Sequence, residues 1–280
     1  MYGLNIKYVE TFDFIPQETK PIEYVDLKLP GKFYFTTFAN TSYVKTDRIK
    51  QQAEEMRVFD KITCLTEHDI PEYIETHKEY ISYNVPGYGR WIWKPKIVLD
   101  ALVSMSDGDF LVYADAGMYL NPHGLPRLAE YMKMLQSSTT GCIAFSTNGY
   151  FSHSFANPDA VAEYFPEFYE KQYRYCYAGI LLLKKTPETV DMITEWFTLC
   201  QNYNYLSGYS EKQNVEFVGG DGDNGLFNLC LAKHDSIVKR VFPDETNVYC
   251  ADNKTQQLDC LDWSSLDNFP FQCRRIRPPR

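Results

Sequence analysis

The run Phe110-Leu111-Val112-Tyr113-Ala114 constrains the fold of this 280-residue chain more than any other stretch. It follows an Asp107-Gly108-Asp109 turn and has no polar residue at alternate positions, so a strand here has no face to offer to water. That is the pattern of a parallel strand covered on both sides. The run ends on a single carboxylate, Asp115. Ala116 and Gly117 follow it and leave space for something to approach the main chain. Ligands of open α/β sheets bind beyond the carboxyl ends of such strands, which makes Asp115 the first candidate functional residue.

The flanking sequence supplies a β-α-β opening. Lys32 to Ala39 reads as a strand, Tyr43 to Met56 as a polar helix and Lys61 to Leu65 as a second strand, after an irregular arm over residues 1–30. A right-handed crossover then places Thr37, Phe38, Ala39 and Asn40 at the same sheet edge as Asp115. Residues Asp69 to Asn84 read as helix plus loop. Pro95 suits the first turn of a helix whose Ile97, Val98, Ala101, Leu102 and Met105 share one face to about Ser106. Pro126 opens a helix to about Gln136, before a strand at Cys142 to Ser146. Asn157 with Pro158 caps the next helix. Gly179 to Lys184 is a second buried strand, and Thr186-Pro187 starts a helix carrying Val190, Ile193, Trp196, Phe197 and Cys200 on its apolar side. Val215 to Val218, a glycine-rich turn and an apolar helix to about His234 lead to a last strand at Val238 to Phe242. Beyond Asp252 the chain reads as loop. With no repeat and no low-complexity linker, the expectation is one mixed α/β sheet in one domain.

Composition removes several functions. A net charge of −9 does not provide the basic field that nucleic-acid backbones require, and the Arg274, Arg275, Arg277 and Arg280 cluster reads as a solvated terminus. No window approaches the roughly 18 apolar residues of a membrane span, and no signal-peptide pattern is seen, so a soluble, cytoplasmic protein is expected. The eight cysteines have no zinc-ligand spacing. Most lie in apolar runs, whereas Cys250, Cys260 and Cys273 lie in a polar segment and could pair only in an oxidising compartment. Aromatic residues make up 16% of the chain. They either fill the core or, if exposed, stack on sugars and bases.

The Gly220-x-Gly222-x-x-Gly225 spacing matches a dinucleotide fingerprint in form, with Glu245 about 20 residues on. Asp221 and Asp223 argue against it, because they would set negative charge against a pyrophosphate. The stretch also lacks the glycine and glutamate positions of a calcium loop. Asp223 is left with two readings, a helix N-terminal carboxylate or a general base in a glycine-lined cleft. Asp115 can hold Mg²⁺ or Mn²⁺ together with a diphosphate, or be a turn residue. Arg90 and Lys94 lie where the helix dipole disfavours cations, which points to an anionic partner. Trp91 and Trp93 are either core or a stacking platform. The five histidines form no cluster, and neither a serine-nucleophile elbow nor a P-loop is present.

Taken in order, Trp91-Ile92-Trp93-Lys94-Pro95, Asp107-Gly108-Asp109 with FLVYADAG, Tyr177-Ala178-Gly179 with ILLLKKTPET, and Gly222-Asp223-Asn224 resemble the GT-A glycosyltransferases of large algal DNA viruses (chloroviruses) that build capsid-protein glycans. The likeness covers roughly residues 30–245. It implies a single-domain, Rossmann-like GT-A fold over residues 31–280 with a mixed, mostly parallel sheet. Relatives carry an Asp-x-Asp metal motif, here Tyr113-Ala114-Asp115, so only the second acid is kept. By resemblance Thr37, Phe38 and Asn40 hold the nucleotide, and Arg90, Lys94, Asp115, Ala116 and Gly117 meet the donor diphosphate or sugar. Tyr177, Ala178, Gly179 and Trp93 border the sugar and acceptor, Asp223 is the base, and Asp115 ligates Mn²⁺ or Mg²⁺. The implied reaction is metal-assisted, inverting transfer from a nucleotide-sugar, a UDP-sugar such as UDP-xylose, to a hydroxyl of an oligosaccharide or glycoprotein acceptor such as a viral capsid-protein N-glycan. It would take place in the host cytoplasm if the chain is viral. The competing readings are a non-catalytic carbohydrate- or nucleotide-binding module and a metal-dependent hydrolase using Asp115 and Asp223.

Overall fold

Phe110–Ala114 is buried along its whole length and occupies an interior position in a six-stranded sheet. The computed structural model describes residues 21–42, 45–208, 210, 217, 222–241, 245–246 and 266–273. The first twenty residues of the expected arm, Val215, the glycines at 219 and 220, Asp221, Phe242, Cys250, Cys260 and the arginine-rich end lie outside these. In chain order the described elements are β1 (Phe33–Phe38), α1 (Asp47–Met56), β2 (Lys61–Leu65), α2 (Pro71–Thr76), the single turn α3 (Gly87–Arg90), α4 (Trp93–Val103), β3 (Phe110–Ala114), β4 (Tyr119–Leu120) and α5 (Leu125–Gln136). Then come β5 (Cys142–Phe151), α6 (Pro158–Tyr164), β6 (Arg174–Lys184), α7 (Pro187–Cys200), α8 (Tyr203–Leu206), α9 (Asp223–Lys233), β7 (Val238–Val241) and β8 (Phe271–Gln272).

The strand order is β2-β1-β3-β6-β5-β7. β1 is parallel to both β2 and β3, β5 is parallel to β7, and β6 alone runs antiparallel to its neighbours. This is the expected mixed, mostly parallel sheet. The chain leaves β1 for β2 on one side and later returns to place β3 on the other, so a switch in winding direction falls between β1 and β3. Ligands of α/β sheets bind in the crevice at such a point. Both Asp115 and the Thr37–Asn40 segment leave the sheet there.

Alternation within β3 distributes its side chains to two cores. Leu111 and Tyr113 pack with Ile97, Val98 and Leu102 of α4, Trp196 of α7 and Phe227 of α9. Phe110, Val112 and Ala114 pack with Ile49 and Met56 of α1 and with Leu128, Tyr131 and Leu135 of α5. Residues Asp223 to Ala232 are all buried, and the polar side chains among them, Asp223, Asn224 and Asn228, find partners inside the protein. Ile22, Val25, Leu27 and Leu29 of the described arm lean on the second core.

The caps read from sequence form as expected. Asn157 accepts the N–H groups of Asp159 and Ala160, and Thr186 accepts that of Thr189. Three readings need correction. The strand expected from Gly179 begins earlier, at Arg174, so Tyr177-Ala178-Gly179 lies in the interior of β6. β5 likewise runs on past Ser146 to Phe151. The C-terminal region is not all loop, because β8 pairs with β4.

Upstream of the register shift β6 is held both by β5, with Phe145 opposite Tyr177 and Ser146 opposite Cys176, and by side chains of α9. A register shift between Ala144 and Phe145 separates β5 from residues 178–180 of β6. There Asn224 Oδ1 accepts the Ala178 N–H at 2.7 Å. One turn later Asn228 Oδ1 accepts the Cys176 N–H at 2.7 Å, while its amide nitrogen donates to the carbonyls of Cys176 and Asn224, each at 2.8 Å. A buried main-chain group left without a partner costs about 1–3 kcal/mol. Asn228→Leu is therefore expected to destabilise the protein by about 2–3 kcal/mol in urea unfolding. An unchanged midpoint would show that β6 does not depend on the helix.

Candidate active site

α4 delivers Lys94 in its first turn, pointing into the crevice. The side chain is only 4% exposed, and its ammonium lies 3.1 Å from Asp115 Oδ1 and 3.2 Å from Asp223 Oδ2. Asp223, at the first position of α9, is 2% exposed, whereas the Asp115 carboxylate at the end of β3 is 22% exposed. One end of the array is sealed and the other faces the crevice. The Tyr113 hydroxyl donates to Asp115 Oδ1 at 2.8 Å, and the Tyr177 hydroxyl lies 3.4 Å from Oδ2. The rings of Trp91 and Tyr113 lie 5.9 Å from the ammonium.

Burial opposes the Lys94 charge, but Asp115 and Asp223 together outweigh it and hold the ammonium's pKa above the ordinary lysine value. The buried Tyr113 hydroxyl is pushed well above the usual range by desolvation and by Asp115. It is a hydrogen-bond donor at any physiological pH.

The main chain fixes both carboxylates. The Asp115 N–H donates to the Gly179 carbonyl at 2.8 Å, and its carbonyl accepts the Met118 N–H at 2.8 Å. Gly179 leaves room for the Tyr177 ring to lie over the strand beside Asp115, because a Cβ there would lie 2.1 Å from that ring. Trp196 Nε1 donates to the Asp223 carbonyl at 2.9 Å and ties the start of α9 to α7. Gly222 has φ +56°, and a Cβ on it would meet the Arg90 carbonyl at 3.1 Å. The start of α9 therefore abuts α3.

α3 is left-handed. Five consecutive residues, Gly87 to Trp91, have positive φ, and the N–H groups of Arg90 and Trp91 bond to the carbonyls four residues back. Tyr88, Arg90 and Trp91 each bear about 1–2 kcal/mol of strain there. Strain of this kind is retained where surrounding structure over-determines it, and it concentrates at functional sites. Among the described residues, no hydrogen bond or ion pair engages the half-buried Arg90 guanidinium.

The other expected site residues divide by environment. Thr37 is fully buried and donates to the Ala114 carbonyl at 2.6 Å, which ties β1 to β3. Phe38 and Trp93 pack as a tilted ring pair with centroids 4.2 Å apart inside the core, and Trp93 Nε1 donates to the Gly87 carbonyl. Ala178 is core. These four were expected to touch donor or acceptor, and burial makes them the frame of the site instead. Asn40 lies at the crevice with its amide nitrogen buried and without a hydrogen bond, although the Tyr88 hydroxyl is nearby. Ala116 is buried, and its carbonyl accepts a bond from Arg48. The Cβ position of Gly117 opens onto free space. Tyr113, Asn224, Asn228 and the left-handed turn escaped the sequence reading. The paired Gly87 and Gly89, and polar residues four apart in an apolar helix, were the available signals.

Lys94 corrects the inference of an external anion, because its anionic partners belong to the protein. The array also bears on the expected Mn²⁺ or Mg²⁺. Both oxygens of Asp115 have protein partners, and among the described residues no group of three or more His, Cys, Asp or Glu side chains could hold a metal ion. These residues do not fit a divalent cation.

A mixed sheet with a buried charge array at its winding switch defines an α/β protein with a polar crevice at the carboxyl ends of β1 and β3. No family model matches the sequence, and no curated protein matches it. Among solved structures, the chain is similar to a glycosyltransferase involved in glycosylation of the major capsid of PBCV-1, at 10% identity, covering 86% of this chain and 93% of the other, with a TM-score of 0.46. It is also similar to mouse xyloside xylosyltransferase 1 at 12% identity, covering 88% and 86%, with a TM-score of 0.45. A third is glucosyl-3-phosphoglycerate synthase from Mycobacterium tuberculosis in complex with Mn²⁺ and UDP-glucose, at 11% identity, covering 77% and 70%, with a TM-score of 0.39. At these values the likeness says nothing about activity.

Removing one partner of a buried ion pair costs about 3–5 kcal/mol, so Lys94→Met is expected to lose that much stability near neutral pH. The folded pKa is raised, so the contribution of Lys94 is full below about 10.5, the ordinary lysine value, and is lost as pH rises through the folded value. In urea unfolding the gap between wild type and Lys94→Met should narrow only at alkaline pH. A gap unchanged through that range would show that Lys94 is not charged in the fold.

Proposed function

We propose that this chain is a glycosyltransferase that moves a sugar from a nucleotide-sugar donor, a UDP-sugar first among candidates, to a hydroxyl of a glycan. The observation that carries the reading is the Asp115–Lys94–Asp223 array at the switch point between β1 and β3, open on the Asp115 side. Glycosyl transfer needs a leaving diphosphate neutralised and an acceptor hydroxyl relieved of its proton. Arg90 is the cation left to meet the diphosphate, and its guanidinium can grip phosphate oxygens in pairs. The unsatisfied Asn40 amide is a donor for a nucleotide carbonyl or hydroxyl. Gly117 leaves room beside Asp115 for the sugar.

Asp223 is the carboxylate available to act as base, and attack from the face opposite the diphosphate makes inversion the expected outcome. Its burial and its pairing with Lys94 favour a second reading, in which the protein binds a nucleotide-sugar without turning it over. The acceptor named by the sequence resemblance is a capsid-protein N-glycan, and xylose and hexose donors both remain within the proposal.

A panel of nucleotide-sugars separates these readings. Turnover of one donor that rises with a glycan acceptor supports transfer, whereas donor binding without product supports the binding module. Release of free sugar at a rate indifferent to acceptor would indicate a hydrolase. Arg90→Ala should raise the donor KM about tenfold or more, the effect of one lost charge-assisted contact. Asp223→Asn should lower kcat by about a hundredfold or more and abolish the acid limb of the pH profile. Near wild-type turnover in that variant would leave Asp223 only as the partner of Lys94.

A further inference from the structure

We propose that the Lys94 ammonium is the resident cation of this site, taking the place of a divalent ion, so that Asp115 presents its exposed edge to donor hydroxyls and does not ligate a metal. The inference deepens the transferase reading and rests on it for the identity of the ligand. It turns on geometry. A magnesium-like ion takes about six oxygens at roughly 2.1 Å and draws its protein ligands from carboxylates that face a common point. Asp115 and Asp223 do face a common point, but Lys94 Nζ fills it, within 3.2 Å of both.

The ammonium cannot readily give way. Its stem enters from the first turn of α4, whose backbone is fixed by the Lys94 N–H bond to the Trp91 carbonyl at 2.9 Å, and the residue is 3% exposed. A divalent ion entering beside it would meet a like charge at close range in a low-dielectric setting. It would also have to displace the Tyr113 hydroxyl from Oδ1 or compete with Lys94 and the Tyr177 hydroxyl for Oδ2. Two carboxylates around one ammonium carry a formal net charge of −1, with Lys94 as the counter-charge shared by both. The same arithmetic says what the site becomes without it. A neutral side chain at position 94 leaves two carboxylates facing an emptied point, the arrangement a hard cation seeks.

The test measures Mn²⁺ binding by electron paramagnetic resonance and calorimetry, and UDP binding by calorimetry in EDTA or in Mn²⁺. Wild type is expected to show no saturable Mn²⁺ binding that depends on Asp115. Lys94→Met should bind Mn²⁺ about tenfold tighter or more than wild type, and Asp115→Asn added to it should abolish the gain. UDP affinity in wild type should agree within about twofold between EDTA and Mn²⁺. Saturable, Asp115-dependent Mn²⁺ binding to wild type would overturn the proposal, as would UDP binding that requires Mn²⁺. A well-folded Lys94→Met that gains no Mn²⁺ site would overturn it too. If that variant does not fold, the wild-type measurements decide alone. If UDP binds in neither condition, the nucleotide-donor reading fails, and the Mn²⁺ measurements still decide the role of Lys94.

Discussion

One ammonium group between two carboxylates is the interaction on which the site depends. Lys94 comes from the start of α4, Asp115 from the end of β3 and Asp223 from the start of α9, so three elements distant in sequence must converge within a few ångströms. A buried charge is tolerated only when it is paired and hydrogen-bonded. If Lys94 were displaced, the two carboxylates would face each other without their counter-charge. The array therefore fixes the relative positions of two helices and a strand end as firmly as the apolar packing beneath it.

The neighbouring features make sense as consequences. Gly222 is needed because α9 must begin against the Arg90 carbonyl, and Gly179 because the Tyr177 ring folds over the strand toward Asp115. Trp196 braces the start of α9 from α7, and Asn224 and Asn228 bind α9 to β6 where β5 departs. The left-handed α3 turn is the strained piece. It reverses the chain tightly enough to put Arg90 beside α9 and Lys94 at the head of α4, and its strain is borne by the packing of Trp91 and Trp93 around it.

For the chemistry, the arrangement separates two tasks that a metal ion would combine. Charge balance inside the array belongs to Lys94, whereas the half-buried Arg90 and the exposed edge of Asp115 lie outside it. Preorganised charge of this kind requires no rearrangement when a reaction develops charge nearby.

The sequence by itself determined the sheet and its edge. The unbroken apolar run of β3, the β-α-β opening, the Asn157 and Thr186 caps and the placement of Asp115 beyond a strand buried on both faces all follow from local pattern, whereas the expected parallel pairing of β3 holds toward β1 and not toward β6. It also marked Arg90, Lys94 and Asp223 as residues whose charges suit their positions poorly or ambiguously. Which charges meet was decided by tertiary structure. Lys94 and Asp223 are separated by well over a hundred residues, and no periodicity reports that an ammonium finds its partners inside the protein. The same holds for Thr37, Phe38 and Trp93, whose types suit a binding crevice but whose burial makes them its frame. It holds also for Tyr177–Gly179, which lie inside β6, where β5 pairs with Tyr177 and a distant helix meets the Ala178 N–H across the register shift.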